Sequence, residues 1–345
     1  MSSPGQPYDP DRTIPDVTSV PWPSPATDDA PGPAGHSDPS HRAGRARRTG
    51  RERRTGCGCG VAAGVMVLVV LVGLVGGIVW LRANEYIQPT PLEPRCRLSI
   101  GDATTVLDPE QAHYAGIIVG RAVARGLPPR AGSIAMATAY QESGIRNLDY
   151  GDRDSVGLFQ QRPSQGWGSR DQILDPYYAT DAFYTGLVKV DGWQTGDITT
   201  VAQTVQRSGH PEAYRKHEQN ARTIASVLSG QTPAGVTCGY QSPSAADPSG
   251  LATSMRRALG VTAKVSADGT TLTATGTSDE QAWAIASHAV VNANTSGVST
   301  VTLGDRQWQW AAGQLPEWTT VTATGGARTV TVTFLAPSGS ATPRA

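Results

Sequence analysis

Charged side chains are scarce in this chain, at 17% of 345 residues, and their signs cancel, 29 Lys and Arg against 29 Asp and Glu. The balance leaves no net field to draw in nucleic acid, and the one basic cluster (Arg42, Arg45, Arg47, Arg48, Arg51, Arg53 and Arg54) is confined to a short stretch. With only 4 cysteines the chain is no disulfide-dense scaffold, and their spacing fits no zinc motif, so neither a metal nor a cofactor is expected. Runs of alternating strand residues are missing between 97 and 237, which predicts a mainly α region there.

Composition divides what remains. Residues 1–56 carry ten prolines before position 40 and almost no aliphatic pattern, so a disordered cytoplasmic tail with an Arg-rich end is expected. Within 57–82 lies VAAGVMVLVVLVGLVGGIVWL, 21 residues without a charge. As a helix that run is about 31 Å long, matching a hydrocarbon core of roughly 30 Å. The arginine cluster lies just before it, so the positive-inside bias predicts a single-pass anchor in the cell membrane with everything after residue 82 outside. Cys57 and Cys59 precede the run, whereas Cys96 and Cys238 follow it and bracket one domain length, which predicts a disulfide between them.

Between 97 and 238 the helix signals are local. Asp108-Pro109-Glu110-Gln111 is a helix start: a capping acid, proline at the first helical position, and glutamine three residues after the cap. A second helix is expected after Ser133, apolar all round through IAMATAY and therefore buried. Asp175-Pro176 opens a third, and Ile198–Gln206 and Pro211–Leu228 predict two more. The buried helix ends on Glu142, followed by Ser143-Gly144. The negative end of a helix and apolar surroundings both favour the protonated carboxyl, the form a general acid needs near neutral pH. A helix-end glutamate pointing into water is the alternative.

The segment ATAYQESG, ten residues, then SVGLFQQRPSQGWG resembles the signature of the lysozyme-like superfamily, closest to soluble lytic transglycosylases and goose-type lysozymes. The resemblance covers roughly 105–230 and implies a lysozyme-like domain over 97–238. It implies Glu142 as catalytic acid, with Ser143, Ser155, Gly157, Phe159, Gln160, Gln161 and Tyr214 lining the sugar cleft. The stretch AQTVQRSGHPEAY, 202–214, is similar to a diverged form of a further block of that family. A two-acid glycosidase needs a second carboxylate, and Asp149, Asp152 and Asp154 are the candidates, though solvation of their glycine-containing loop is the favoured reading of all three. Their spacing departs from a calcium loop, with Gln160 where a bidentate glutamate belongs. Tyr140, Trp167 and Tyr184 are candidates for stacking on sugar rings or for the core, and His210 and His217 lack a third metal ligand nearby.

After a Ser/Pro/Ala linker, 239–250, residues 251–336 are expected to form a small α+β accessory domain, with 337–345 a tail. A helix is predicted at 249–259, strands at 261–266 and 271–275, a helix after the Ser278 capping box, and strands at 298–303, 306–310, 319–322 and 329–334. Trp308, Trp310 and Trp318 are either a ligand platform or a packed face.

These readings converge on a membrane-anchored enzyme cleaving the MurNAc-GlcNAc glycan strand of peptidoglycan in the manner of a lytic transglycosylase. The alternatives are a lysozyme-type hydrolase using a loop aspartate and a non-catalytic peptidoglycan-binding scaffold.

Overall fold

The computed structural model describes residues 60–86, 92–206, 212–323 and 325–335. The tails expected at 1–56 and 337–345, the thiols of Cys57 and Cys59, and His210 lie outside these residues.

The expected single-pass anchor and extracytoplasmic placement are corrected: among the described residues, no helix is long and apolar enough to cross a membrane. Helix α1 (Gly60–Tyr86) forms where the apolar run predicts a helix.

Residues 92–335 form a separate unit. Its first half is not purely helical, which also corrects the mainly α expectation. Strands β1 (Arg95–Ile100), β2 (Ala103–Leu107) and β3 (Val236–Gly239) pair antiparallel in the order β2-β1-β3. Cys96 stands directly opposite Cys238 in the β1–β3 ladder, and the expected disulfide joins them with Cα atoms 4.0 Å apart.

Between β2 and β3 run α2 (Pro109–Ala124), α3 (Pro129–Ser143), α4 (Arg170–Leu174), α5 (Pro176–Leu187), α6 (Ile198–Gln206) and α7 (Glu218–Leu228). Asp108 caps α2 with a full capping box to Gln111, as its sequence predicts. Helix α3 begins at Pro129, a turn earlier than expected, and Ser133 returns its hydroxyl to the Pro129 carbonyl instead of capping. Residues Ala131 to Ala139 are all buried, because α3 packs among α2, α5, α6 and α7. The last of the predicted helices starts late: a turn and one short 3-10 segment, Arg215–His217, precede α7.

The C-terminal half follows the expected order closely. Helices α8 (Pro248–Leu259), α9 (Asp279–Val291) and α10 (Ala293–Ser296) accompany strands β4 (Lys264–Val265), β5 (Thr271–Thr275), β6 (Val298–Leu303), β7 (Arg306–Gln309), β8 (Thr319–Thr320) and β9 (Thr329–Phe334). The strands form one antiparallel sheet, β4-β5-β9-β6-β7-β8.

The two halves share one apolar core. The three tryptophans supply much of the seam. Trp308 is fully buried and donates its indole N–H to the Thr237 hydroxyl at 3.1 Å. Trp318 donates to the Val236 carbonyl at 2.8 Å, and Trp310 to the Tyr240 carbonyl at 3.3 Å while stacking on the Tyr240 ring. These N–H groups fasten the second sheet to β3 and the residue after it, so the packed-face reading of the tryptophans holds. The linker is laid into the same seam, where the Ser244 and Asp247 amides donate to the carbonyls of Asn294 and Ser296.

Helix α2 forms the other half of the seam against α8 and α9. A Cβ on Gly120 would come within 3.2 Å of the Ala258 carbonyl, and one on Gly116 within 3.0 Å of Val291. Both glycines permit close helix approach. Arg121 forms a two-pronged pair with buried Asp181 of α5, at 2.9 and 2.8 Å, and also donates to the Arg257 carbonyl of α8. The Arg257 guanidinium lies 3.8 Å from the Tyr177 ring centroid and pairs with Asp175. Beside Gly116, the fully buried His288 shares a hydrogen bond with the Ser254 hydroxyl at 2.8 Å. Burial, reinforced by the nearby His113, pushes the His288 imidazole down to about 3.

Because β3 serves both halves, reduction of Cys96–Cys238 is expected to lower one common melting transition rather than that of the first half alone. For a loop this long the chain-entropy treatment gives about 5 kcal/mol. Calorimetry with and without reductant checks this, and two resolved transitions would refute the shared core. A second expectation concerns acid. The unfolded chain protonates His288 near its ordinary value of 6.5 and the folded one only near 3, so the unfolded state binds the extra proton between those values. Stability is therefore full above about pH 6.5 and falls as pH drops toward 3, by up to about 1.4 kcal/mol per pH unit. Denaturant melts across that range should show a flatter slope in His288→Gln.

Candidate active site

Helix α3 stops abruptly. Gly144 adopts the left-handed conformation at φ 64°, the region open to glycine, and Ile145 follows at φ 61° although it is β-branched. Ile145 is fully buried, which holds it in a conformation costing of the order of 1–3 kcal/mol. The chain thereby leaves α3 sideways just after Glu142.

Three side chains brace that exit. The Ser143 hydroxyl lies 2.7 Å from the Leu158 carbonyl and 3.1 Å from that of Ala139, and it accepts the Arg146 amide. The Gln111 side chain donates to the Gly144 carbonyl at 2.9 Å, so the residue that caps α2 also holds the end of α3. Arg146 pairs with Asp108 and Glu110 at the same end of α2. Burial and geometry are thus organised around the residue next to Ser143.

Glu142 itself is half-buried, and its Oε1 accepts a hydrogen bond from the Tyr214 hydroxyl at 2.6 Å. Tyr214 is fully buried, so its phenol has little freedom to leave. Next to it on α3, burial pushes the Tyr140 phenol up to about 12, and the ring stacks on His217 at 5.1 Å and 6°.

The sequence-derived cleft residues separate in the structure. Gly157 is at φ 82° with its amide donating to the Leu148 carbonyl, and a side chain there would strike the Ile173 carbonyl. Gln160, at φ 46°, directs its amide to the carbonyls of Tyr150 and Gly157. Phe159 is core: it is fully buried and stacks on Phe183 at 4.7 Å. Gln161 is buried and ties this loop to α5 through the Ala179 carbonyl. Ser155 is buried with its hydroxyl on the Asp152 carbonyl. Trp167 is buried, and Tyr184 is core too, donating to the Ile118 carbonyl at 2.8 Å. Glu142 and Tyr214 therefore meet as a chemical pair, while Ser143, Ser155, Phe159 and Gln161 build the scaffold around it.

Asp149 and Asp152 are exposed. Asp154 is occupied: despite some desolvation, the Ser164 amide, the Arg162 guanidinium and the Ser164 hydroxyl, at 2.7, 2.7 and 2.9 Å, hold its carboxyl well below the usual range. Its negative charge organises the 162–164 turn. Among the described residues, no group of three or more His, Cys, Asp or Glu is placed to hold a metal ion.

Sequence reasoning missed Gln111 as a brace and Gln206, whose side chain donates to the Phe159 carbonyl at 2.6 Å. Gln111 was visible only as a capping residue, since its second contact is 33 residues away. Compared with protein families and with curated proteins, the chain matches none.

Replacing Ser143 by Ala leaves the Leu158 carbonyl without its donor, so a loss of about 1–3 kcal/mol is expected. Asp149→Asn, at an exposed position, should stay within about 0.5 kcal/mol of the parent. Equal stabilities for the two variants in chemical denaturation would remove Ser143 from the frame.

Proposed function

We propose that the protein cleaves the glycan strand of peptidoglycan with Glu142 as the sole acid and base, in the manner of a lytic transglycosylase. The observation that carries this reading is the Tyr214 hydroxyl at 2.6 Å from Glu142 Oε1, on a carboxyl set at the braced end of a buried helix. A general acid acts only when held in one orientation, and this pair is held from both sides. The glutamic acid gives its proton to the glycosidic oxygen as the bond from C1 breaks. The carboxylate then takes the proton of the muramic-acid 6-hydroxyl, whose oxygen bonds to C1, and a 1,6-anhydro sugar leaves. No water is consumed.

One acid suffices for that sequence, and the loop favours it over hydrolysis. Asp154 is committed to Arg162 and Ser164, which makes it a poor base for an attacking water.

The test is digestion of purified peptidoglycan by the full-length protein with mass analysis of the sugar ends. Anhydromuramic ends are expected, and Glu142→Gln should lower the rate about 10²–10⁴-fold, since it keeps the side-chain volume but removes the transferable proton. Reducing muramic ends would replace transglycosylation by hydrolysis. Cleavage undiminished in Glu142→Gln would sink the catalytic assignment.

A further inference from the structure

Tyr214 is not placed by its own residue alone. It opens a single 3-10 turn, closed by the His217 amide donating to the Tyr214 carbonyl at 3.0 Å. In such a turn, side chains three apart lie on the same side. Tyr214 and His217 accordingly face the last turn of α3 together. Tyr214 reaches Glu142, while the His217 ring lies parallel on Tyr140 and its Nε2 is 3.3 Å from Gln141 Oε1. Three consecutive residues of α3, Tyr140, Gln141 and Glu142, are gripped by one turn. The route from His217 to Glu142 runs through the turn that His217 shares with Tyr214.

We propose that His217 is a positioning residue for Glu142: by anchoring the far end of the Tyr214–His217 turn on Tyr140 and Gln141, it fixes where the Tyr214 hydroxyl meets the carboxyl. The kinetic consequence rests on the glycan-cleavage reading, whereas the placement of the phenol does not.

The electrostatic setting favours the neutral ring. Burial, and then the charge of Lys216, lower the His217 imidazole from its ordinary value. Among its neighbours, Arg215 is engaged by Glu212 and Asp197, and Glu218 by Arg222. The facing side of α3 offers Tyr140, Gln141 and Glu142. A neutral imidazole donating from Nε2 to Gln141 leaves Nδ1 with no proton to place. A second proton would put a cation beside Lys216 and a new donor on the half-buried ring, which loosens the anchor. The loss occurs below the ordinary histidine value, as pH falls.

The experiment uses the full-length protein with His217→Phe, which keeps the stack on Tyr140 and loses the bond to Gln141, and His217→Gln, which keeps an amide donor. Two quantities are read: kcat and KM on purified glycan strands from pH 4 to 8, and the carboxyl titration of Glu142 by carbon NMR with labelled glutamate. In His217→Phe, kcat should fall about tenfold at a KM within about twofold of the parent, because misplacement of a reacting group costs rate rather than binding. The parent's acid limb that belongs to His217 should vanish, and the Glu142 titration should move. His217→Gln should recover part of kcat without that limb. An unchanged Glu142 titration together with an unchanged kcat in both variants overturns the proposal. If the parent cleaves nothing, yet the Glu142 titration moves in His217→Phe, the positioning role stands and the cleavage reading falls.

Discussion

The hydroxyl of Ser143 is the interaction on which the site depends. A helix cannot by itself fix the direction of its last side chain, because its final carbonyls have no partners within the helix and the last turn frays. Here Ser143 shares one hydroxyl among Ala139 of its own helix, Leu158 of the following loop and the Arg146 amide. The end of α3 and the 157–160 loop are thereby one piece. Gly144 and Ile145 then turn the chain through two left-handed residues, and the burial of Ile145 offsets the strain of that path. Gln160 and Arg153, also at positive φ, lie in the same loop region. Only Gly144 and Ile145 adjoin the Glu142 end of α3, and their path orders that end within the folded protein itself.

The second constraint is the strand β3. It carries Cys238, which joins it to β1, and Val236 and Thr237, which accept the indole N–H groups of Trp318 and Trp308. One short strand therefore closes the first sheet and receives the second half of the unit. The buried Tyr240 continues the seam beyond it. An accessory region attached this way cannot swing as a domain on a flexible linker, because the linker's own amides are spent on α10 and its neighbours.

Legibility followed the range of the physics. Asp108, Pro109 and Gln111 announced α2 because capping is decided within four residues, and the apolar run 134–140 announced a buried helix. The succession of helices and strands in the second half was readable because each strand is a short alternating run, but their order in the sheet, with β9 between β5 and β6, was not. The β1–β3 pairing was not readable as a sheet, since its partners lie about 140 residues apart and β3 has only four residues. Glu142 was legible from its place at the end of α3. The division of labour around it was not: Phe159 and Gln161 belong to a motif that names the loop, but only packing shows that both point into the core. The anchor reading rested on hydropathy along 61–81, and among the described residues no helix is long and apolar enough to cross a membrane.

Helix α2 connects these constraints. Its first turn holds the site: Asp108 and Glu110 pair with Arg146, and Gln111 holds the Gly144 carbonyl. Its middle holds the second half, through His113 bonded to Asn292 at 2.6 Å and through the close approaches at Gly116 and Gly120. Its last turns hold α5 by the Arg121–Asp181 pair. A side chain forced in at Gly116 presses on the Val291 methyl, 3.0 Å from the position of the new Cβ, so either that side chain gives by a few tenths of an ångström or α2 moves off α9. Helices are stiff along their axes, so a displacement of α2 there reaches its first turn and with it the end of α3. The second half thus has a physical route to the site: it sets the position of the helix whose Gln111 holds the end of α3.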